Sequence, residues 1–182
     1  MPRVDRRITK SQEAIKKAFI ELMSEKNFDQ ITVQDISDKE NVGRRTIYHH
    51  YQDKFDLLSK LIEEHISELR KLCESAAINT NVKEANLVWF KYFESNYLFF
   101  STMLTGQGTF AFRNQFLQFV IEELKERVDI SRGKNKGLNE DVILRFLGSA
   151  IVGIVESYFT EDIPKSTEMI AEQAWILLDR NL

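Results

Sequence analysis

The sequence predicts an all-α protein of about nine helices, and three observations carry that expectation. Proline and glycine punctuate it sparsely: no proline lies between Pro2 and Pro164, and Gly43 is the only glycine before Gly106. A β-rich chain needs many more such turn residues. Apolar side chains recur at helical spacing, at Ala14, Ile15, Ala18, Phe19, Leu22 and Met23, and again at Leu57, Leu58, Leu61, Ile62, Ile66, Leu69, Leu72 and Cys73. Residues that favour helix caps stand where these faces begin.

Thr9 with Gln12 has capping-box spacing and predicts a first helix from there to about Lys26. Thr32 with Asp35 starts a short second helix, where Ile31 and Ile36 have the spacing of a hydrophobic staple. That helix must end near Glu40, because Asn41 tolerates the left-handed conformation and Val42-Gly43 follow. A third helix covers Arg44 to His50. Asp53, with Asp56 a turn further on, caps a long fourth helix that reaches about Ser75. Asn81 and Glu84 predict the cap of a fifth, to about Glu94, and Asn96 separates it from a short sixth at Tyr97 to Leu104. The Gly106/Gly108 turn ends that one. Phe110 to Val128, Asn139 to Phe159 and Ser166 to Arg180 complete the set, with a cationic linker, Ser131 to Gly137, before the eighth.

Composition narrows the function classes. At 182 residues with 43% hydrophobic and 29% charged side chains, the chain is too apolar for disorder and long enough to bury a core without metal or disulfide. Cys73 is the only cysteine, so no internal disulfide forms, which suits a reducing cytoplasm. The charged N-terminus lacks the apolar core of a signal peptide. The longest apolar run, Ala150 to Val155, is far short of the ~20 residues of a membrane span. A soluble, cytoplasmic protein with no membrane partner is expected. The net charge of −3 argues against nucleic acid, but it is unevenly distributed. Residues 1–60 hold 12 Lys and Arg against 10 Asp and Glu, whereas residues 61–182 hold 13 against 18.

The stretch from Ile31 to Leu58 is the informative one. Two short helices joined by the Glu40-to-Gly43 turn make a helix-turn-helix, whose second helix can lie in a major groove about 12 Å wide. Ile36, Val42 and Ile47 have the spacing of inward anchors. Arg44, Arg45, Tyr48 and His49 remain for the outer face, and no carboxylate occurs from Asn41 to Gln52. A basic, acid-free face suits a phosphate backbone. The pair His49-His50 lacks a third ligand at helical spacing, so no metal is expected. No nucleophile–base set or phosphate loop marks an enzyme, and no cofactor is expected.

This segment resembles the DNA-binding domain of TetR-family transcriptional regulators. The matching residues are Ile31-Thr32-Val33, Ile36, Val42, Thr46, Tyr48-His49-His50-Tyr51, Lys54 and Leu57-Leu58. Ser37, Glu40, Asn41 and Gly43 depart from the family pattern of Ala, Ala, Gly and Ser. The resemblance implies a helix-turn-helix domain at 1–53 and a regulatory and dimerisation domain at 54–182, with helix 54–75 joining the two. Arg44 and Arg45 match positions that reach base edges. Thr32, Thr46, Tyr48, His50 and Lys54 match positions that grip phosphates, with His49 on the same face. Arg3, Arg6, Arg7 and Lys10 form an N-terminal arm suited to further backbone contacts.

The same resemblance places an effector pocket in the middle helices. Phenylalanine is concentrated there, and Trp89, Phe90, Phe93, Tyr97, Phe100, Met103 and Phe116 are the expected lining. It also makes the last two helices a dimerisation pair, with Gly148, Ile151, Val155, Tyr158, Ile170, Ala174 and Leu177 at the interface. The implied function is a ligand-responsive repressor that binds a palindromic operator in double-stranded DNA as a homodimer, answering to a small-molecule effector. The rival is a TetR-like interaction module or coactivator that docks onto another regulator.

Overall fold

A computed structural model describes residues 6–78, 82–105, 109–131, 133–160 and 166–182. Among them are nine α-helices and no strand: α1 (Arg6–Glu25), α2 (Val33–Lys39), α3 (Arg44–His50), α4 (Lys54–Ile78), α5 (Val82–Ser95), α6 (Tyr97–Thr105), α7 (Thr109–Lys125), α8 (Glu140–Phe159) and α9 (Thr167–Asp179). The expected all-α class and helix order hold.

Several caps follow from sequence. The hydroxyl of Thr32 accepts the Asp35 N–H while the Asp35 carboxylate accepts the Thr32 N–H at 2.7 Å, a reciprocal capping box. Ile31 and Ile36 on either side of it are both buried. Asp53 Oδ1 accepts two backbone N–H groups at the start of α4, each at 2.8 Å. Asn139 and Ser166 cap α8 and α9. One expectation fails: α1 already runs from Arg6, so Thr9 lies inside the helix and caps nothing. The Asn81 cap and the Gly106/Gly108 turn lie outside the described residues.

The core is one continuous body. Ile15, Ala18 and Phe19 of α1 are fully buried against the same cluster as Leu57, Leu61 and Ile62 of α4. Further along α4, His65, Leu69 and Cys73 continue that buried stripe into the C-terminal helices. The second half of the core is aromatic. Phe100 of α6 has its ring 4.7 Å from Phe93, 5.0 Å from Phe99, 5.9 Å from Phe112 and 6.2 Å from Phe159. Most of these are edge-on contacts, the arrangement that ring quadrupoles favour.

Helices α7 and α8 cross closely because Gly148 has no side chain. A Cβ there would stand 3.0 Å from Ile121 Cγ1 and 3.2 Å from Leu117 Cδ1. The 131–137 segment is more than a linker. Asn135 is buried and donates to the Asn181 carbonyl at 2.8 Å, and Lys134 donates to the Arg180 carbonyl at 2.7 Å. It ties the α7–α8 connection to the end of α9.

By length and composition α8 could cross a membrane, a property that counting uninterrupted apolar runs had missed. Its buried side is the α7 crossing, however, and it also carries Glu140, Asp141, Arg145 and Glu156, the last paired with Arg113 at 2.6 Å. These are the features of a bundle helix.

His65 joins three helices at the junction of the two halves. Its ring stacks on Phe99 of α6 at 3.8 Å, and its Nδ1 is 2.8 Å from the Tyr92 hydroxyl of α5. Burial holds its pKa down at about 4; Glu64 and Glu68 on its own helix pull it up, while Lys16 of α1 adds to the lowering.

Two outcomes are expected. Phe100→Ala should cost about 3–5 kcal/mol in chemical denaturation, because α4, α5, α7 and α8 all lose contacts to that ring. An unfolded chain protonates His65 near pH 6.5, whereas the folded one resists until about pH 4, so stability falls as pH drops through that window. The loss between pH 7 and pH 5 should be about 2 kcal/mol, and His65→Phe should abolish that part of the pH slope.

Candidate nucleic-acid interface

The turn between α2 and α3 sets the angle of the second helix. Asn41 takes a φ of +51°, the left-handed conformation that Asn tolerates. The Val42 N–H donates to the Ser37 carbonyl at 3.1 Å, and the Ser37 hydroxyl donates back to the Val42 carbonyl at 2.8 Å. Glu40 lies 3.4 Å from Lys17 of α1. Ser37 and Glu40, two departures from the family pattern, thus both have local partners. Ile36 and Ile47 are buried beneath the turn, and Val42, partly buried, packs against the same core.

This arrangement leaves one face of α3 outward. Arg44, Arg45, Tyr48 and His49 are exposed, and no described residue forms an ion pair with either arginine. Thr46 and His50 are half-buried at its edge. Ile8 and Ser11 of α1 stand opposite Arg45, Thr46, Tyr48, His49 and His50 across an open groove. Burial, helped by His49 and Lys60, lowers the His50 pKa. Lys60 donates to the His50 carbonyl at 3.2 Å and pins the end of α3 to α4. Tyr51 is core, and burial pushes its hydroxyl up to about 12. Among the described residues no group of three or more His, Cys, Asp and Glu could hold a metal.

Two expected phosphate contacts have other work. Lys54 donates to the carbonyls of Phe28, Asp29 and Ile31 at 2.9, 3.0 and 3.0 Å, and its ammonium lies 4.7 Å over the Phe28 ring. An ammonium has three N–H donors, and all three are taken. Lys54 is a clamp that fixes the turn leading into α2, and its donors are taken where a phosphate contact was expected. The Thr32 hydroxyl is likewise committed to the capping box. Of the expected arm, Arg6 and Arg7 begin α1, Lys10 is exposed on it, and Arg3 lies outside the described residues.

The expected effector lining is only partly brought together. Phe93, Phe100, Met103 and Phe116 are fully buried and fill the core, and Tyr97 is exposed. Trp89 and Phe90 do border a small cavity, but it lies nearer α7, α8 and α9, against Cys73, Glu123, Arg127 and Leu178. The expected interface residues are dispersed in the same way. Gly148, Val155 and Ile170 are covered by their own chain. Ile151, Val155 and Ala174 face the cavity, and the Tyr158 hydroxyl is 3.3 Å from both Glu94 and Thr167. Only Leu177 is well exposed. The apolar surface that α8 and α9 do present is Val142, Phe146, Ile176 and Leu177, continued by Ala150 and by Gly153, beside which there is open space. Val142 and Phe146 escaped notice in the sequence because a broadly apolar helix hides which side is covered.

The tight α2–α3 turn and the outward basic helix define the helix-turn-helix class. Comparison with known proteins gives the family. Residues 15–61 match the family described as bacterial regulatory proteins of the tetR family, and residues 80–180 match a transcriptional regulator C-terminal region. The chain belongs to the TetR family of transcriptional regulators. It is 39% identical over 67 residues to the HTH-type transcriptional regulator YxbF of Bacillus subtilis, 36% of this chain and 18% of that protein. The chain thus spans less than a fifth of that relative's length. It is 27% identical over 154 residues to the dhaKLM operon transcriptional activator DhaS of Lactococcus lactis, 79% of this chain and 76% of that one. A crystal structure of a TetR transcriptional regulator from Streptococcus agalactiae superposes with a TM-score of 0.75 at 27% identity, covering 95% of this chain and 96% of the other. The family and these relatives are transcriptional regulators, not enzymes.

The two cation types should separate experimentally. Arg44→Ala should leave thermal unfolding unchanged and weaken specific DNA binding by roughly 1–3 kcal/mol. Lys54→Met should lower stability by about 1–3 kcal/mol, as the three carbonyls each lose the ammonium donor, while the salt dependence of DNA binding stays as in the parent. A Lys54→Met protein of full stability with a flatter salt slope would overturn the clamp.

Proposed function

We propose that this TetR-family protein binds a palindromic DNA operator as a homodimer through α3 and that a small molecule in the C-terminal helices controls the binding. The observation that carries the reading is the acid-free outer face of α3, where Arg44 and Arg45 are exposed without ion-pair partners among the described residues. Arg44 and Arg45 are the base readers and Thr46, Tyr48, His49 and His50 the flanking contacts, in a unit spanning 1–53. The remainder, 54–182, senses and dimerises. Acting on DNA, the protein works in the cytoplasm and needs no membrane.

The exposed apolar stripe on α8 and α9, Val142, Phe146, Ala150, Gly153, Ile176 and Leu177, supports pairing with a symmetry mate. One seven-residue recognition helix reads few bases, and a two-fold pair reads two half-sites a helical turn or a multiple apart. A ligand that shifts α4 changes that spacing and with it the affinity.

Repression is the polarity read from sequence. An activator reading has one specific support: the relative DhaS is described as a transcriptional activator. A reporter driven by the protein's own upstream region distinguishes them, since deletion of the gene raises expression for a repressor and lowers it for an activator. Fluorescence anisotropy on that region at moderate salt tests binding itself, and the absence of any sequence-dependent binding would favour the docking module instead. Phe146→Asp should yield monomers in sedimentation velocity and weaken operator binding by about a hundredfold, because avidity between half-sites is lost.

A further inference from the structure

The cavity beside Trp89 has walls of Phe90, Val120, Leu124, Val155, Ala174 and Leu178. Its free space is about 60 Å³, on the order of two waters at their liquid volume. Few polar groups border it, and all but one are engaged. The Trp89 Nε1–H donates to Cys73 Sγ at 3.2 Å. Burial, then Glu123, pushes the Cys73 thiol up to about 12, so it stays protonated and unreactive. Glu123 accepts from Arg70 at 3.3 Å. Arg127, one turn beyond Glu123 on the same side of the chain, is exposed at the mouth, and no described residue forms an ion pair with it.

An apolar chamber with one unengaged cation at its rim is complementary to an anion carrying a short apolar tail. A cationic ligand would meet Arg127 and find Glu123 already paired. A long tail would not fit the free space without separating α8 and α9 from α5 and α7.

We propose that this cavity binds a short-chain aliphatic carboxylate, its tail against Val120, Leu124 and Val155 and its carboxylate on the Arg127 guanidinium. The proposal rests on the reading of the C-terminal helices as the sensing part, and it names the ligand class for them.

In the full chain carrying Trp175→Phe, Trp89 is the sole tryptophan and its emission reports on the cavity wall. It should shift saturably with propanoate and butanoate, more weakly with hexanoate, and not with decanoate or butylamine. Arg127→Gln should weaken butanoate binding about tenfold and leave 1-butanol unaffected. Ala174→Met, which fills the chamber, should abolish the response. If that variant fails to fold, the exposed Arg127→Gln decides alone. Equal binding of amine and carboxylate, no saturable shift with any carboxylate, or an unchanged affinity in Arg127→Gln would overturn the proposal. DNA anisotropy on the same samples keeps the two readings apart. Carboxylate binding without a change in DNA affinity supports the ligand class and overturns ligand control. DNA release by another compound, with no carboxylate bound, does the reverse.

Discussion

The buried stripe along α4, from Leu57 and Leu61 through His65 and Leu69 to Cys73, runs through both halves of one continuous core. Its first turns lie under α1 and the helix-turn-helix, and its last turns lie under the aromatic core. Packed interiors are dense and resist continuous deformation. A displacement of α4 therefore has to be taken up at both ends, which is the physical basis of the coupling proposed above between a C-terminal ligand and the position of α3. His65 is where the two ends meet, stacked on Phe99 and bonded to Tyr92.

Around that stripe the protein divides its cations by task. Lys54 and Lys60 hold carbonyls of the turn before α2 and the end of α3, and so fix where the recognition helix sits. Lys17 and Lys39 pair with acids on neighbouring helices. Arg44 and Arg45 are left over, on the outer face, with nothing of the described chain to neutralise them. Positive charge that the fold does not consume is available to a polyanion. The net charge of −3 says little about this, because the acid excess lies beyond residue 60.

The C-terminal helices show a comparable economy of small side chains. Gly148 permits the close α7–α8 crossing, where Ile121 and Leu117 occupy the space a Cβ would need. Gly153, one and a half turns on, faces open space on the other side of the same helix. Two glycines of similar sequence context thus serve different surfaces. The aromatic residues behave likewise: Phe93, Phe100 and Phe116 fill the core solidly, and a partly enclosed space lies where smaller Val, Ala and Leu side chains meet.

How much of this was legible depended on the range of the interaction involved. The all-α class, the bounds of α3, the Thr32–Asp35 box and the left-handed Asn41 were all readable, because caps, turns and helical periodicity are set by neighbours within a turn or two. The basic outer face of α3 was readable for the same reason. The role of Lys54 was not, since its carbonyl partners lie 23 to 26 residues away. Nor was the side of α8 that is covered, because an apolar helix looks alike from both sides until α7 is placed against it. His65 could have been noticed, as it falls in phase with Leu61, Ile62 and Leu69, but its stacked partners come from two other helices. Local chemistry determined the elements and the recognition face. Only tertiary packing decided which cations stay free, which apolar faces stay open and where space remains inside, because each depends on what a distant segment covers.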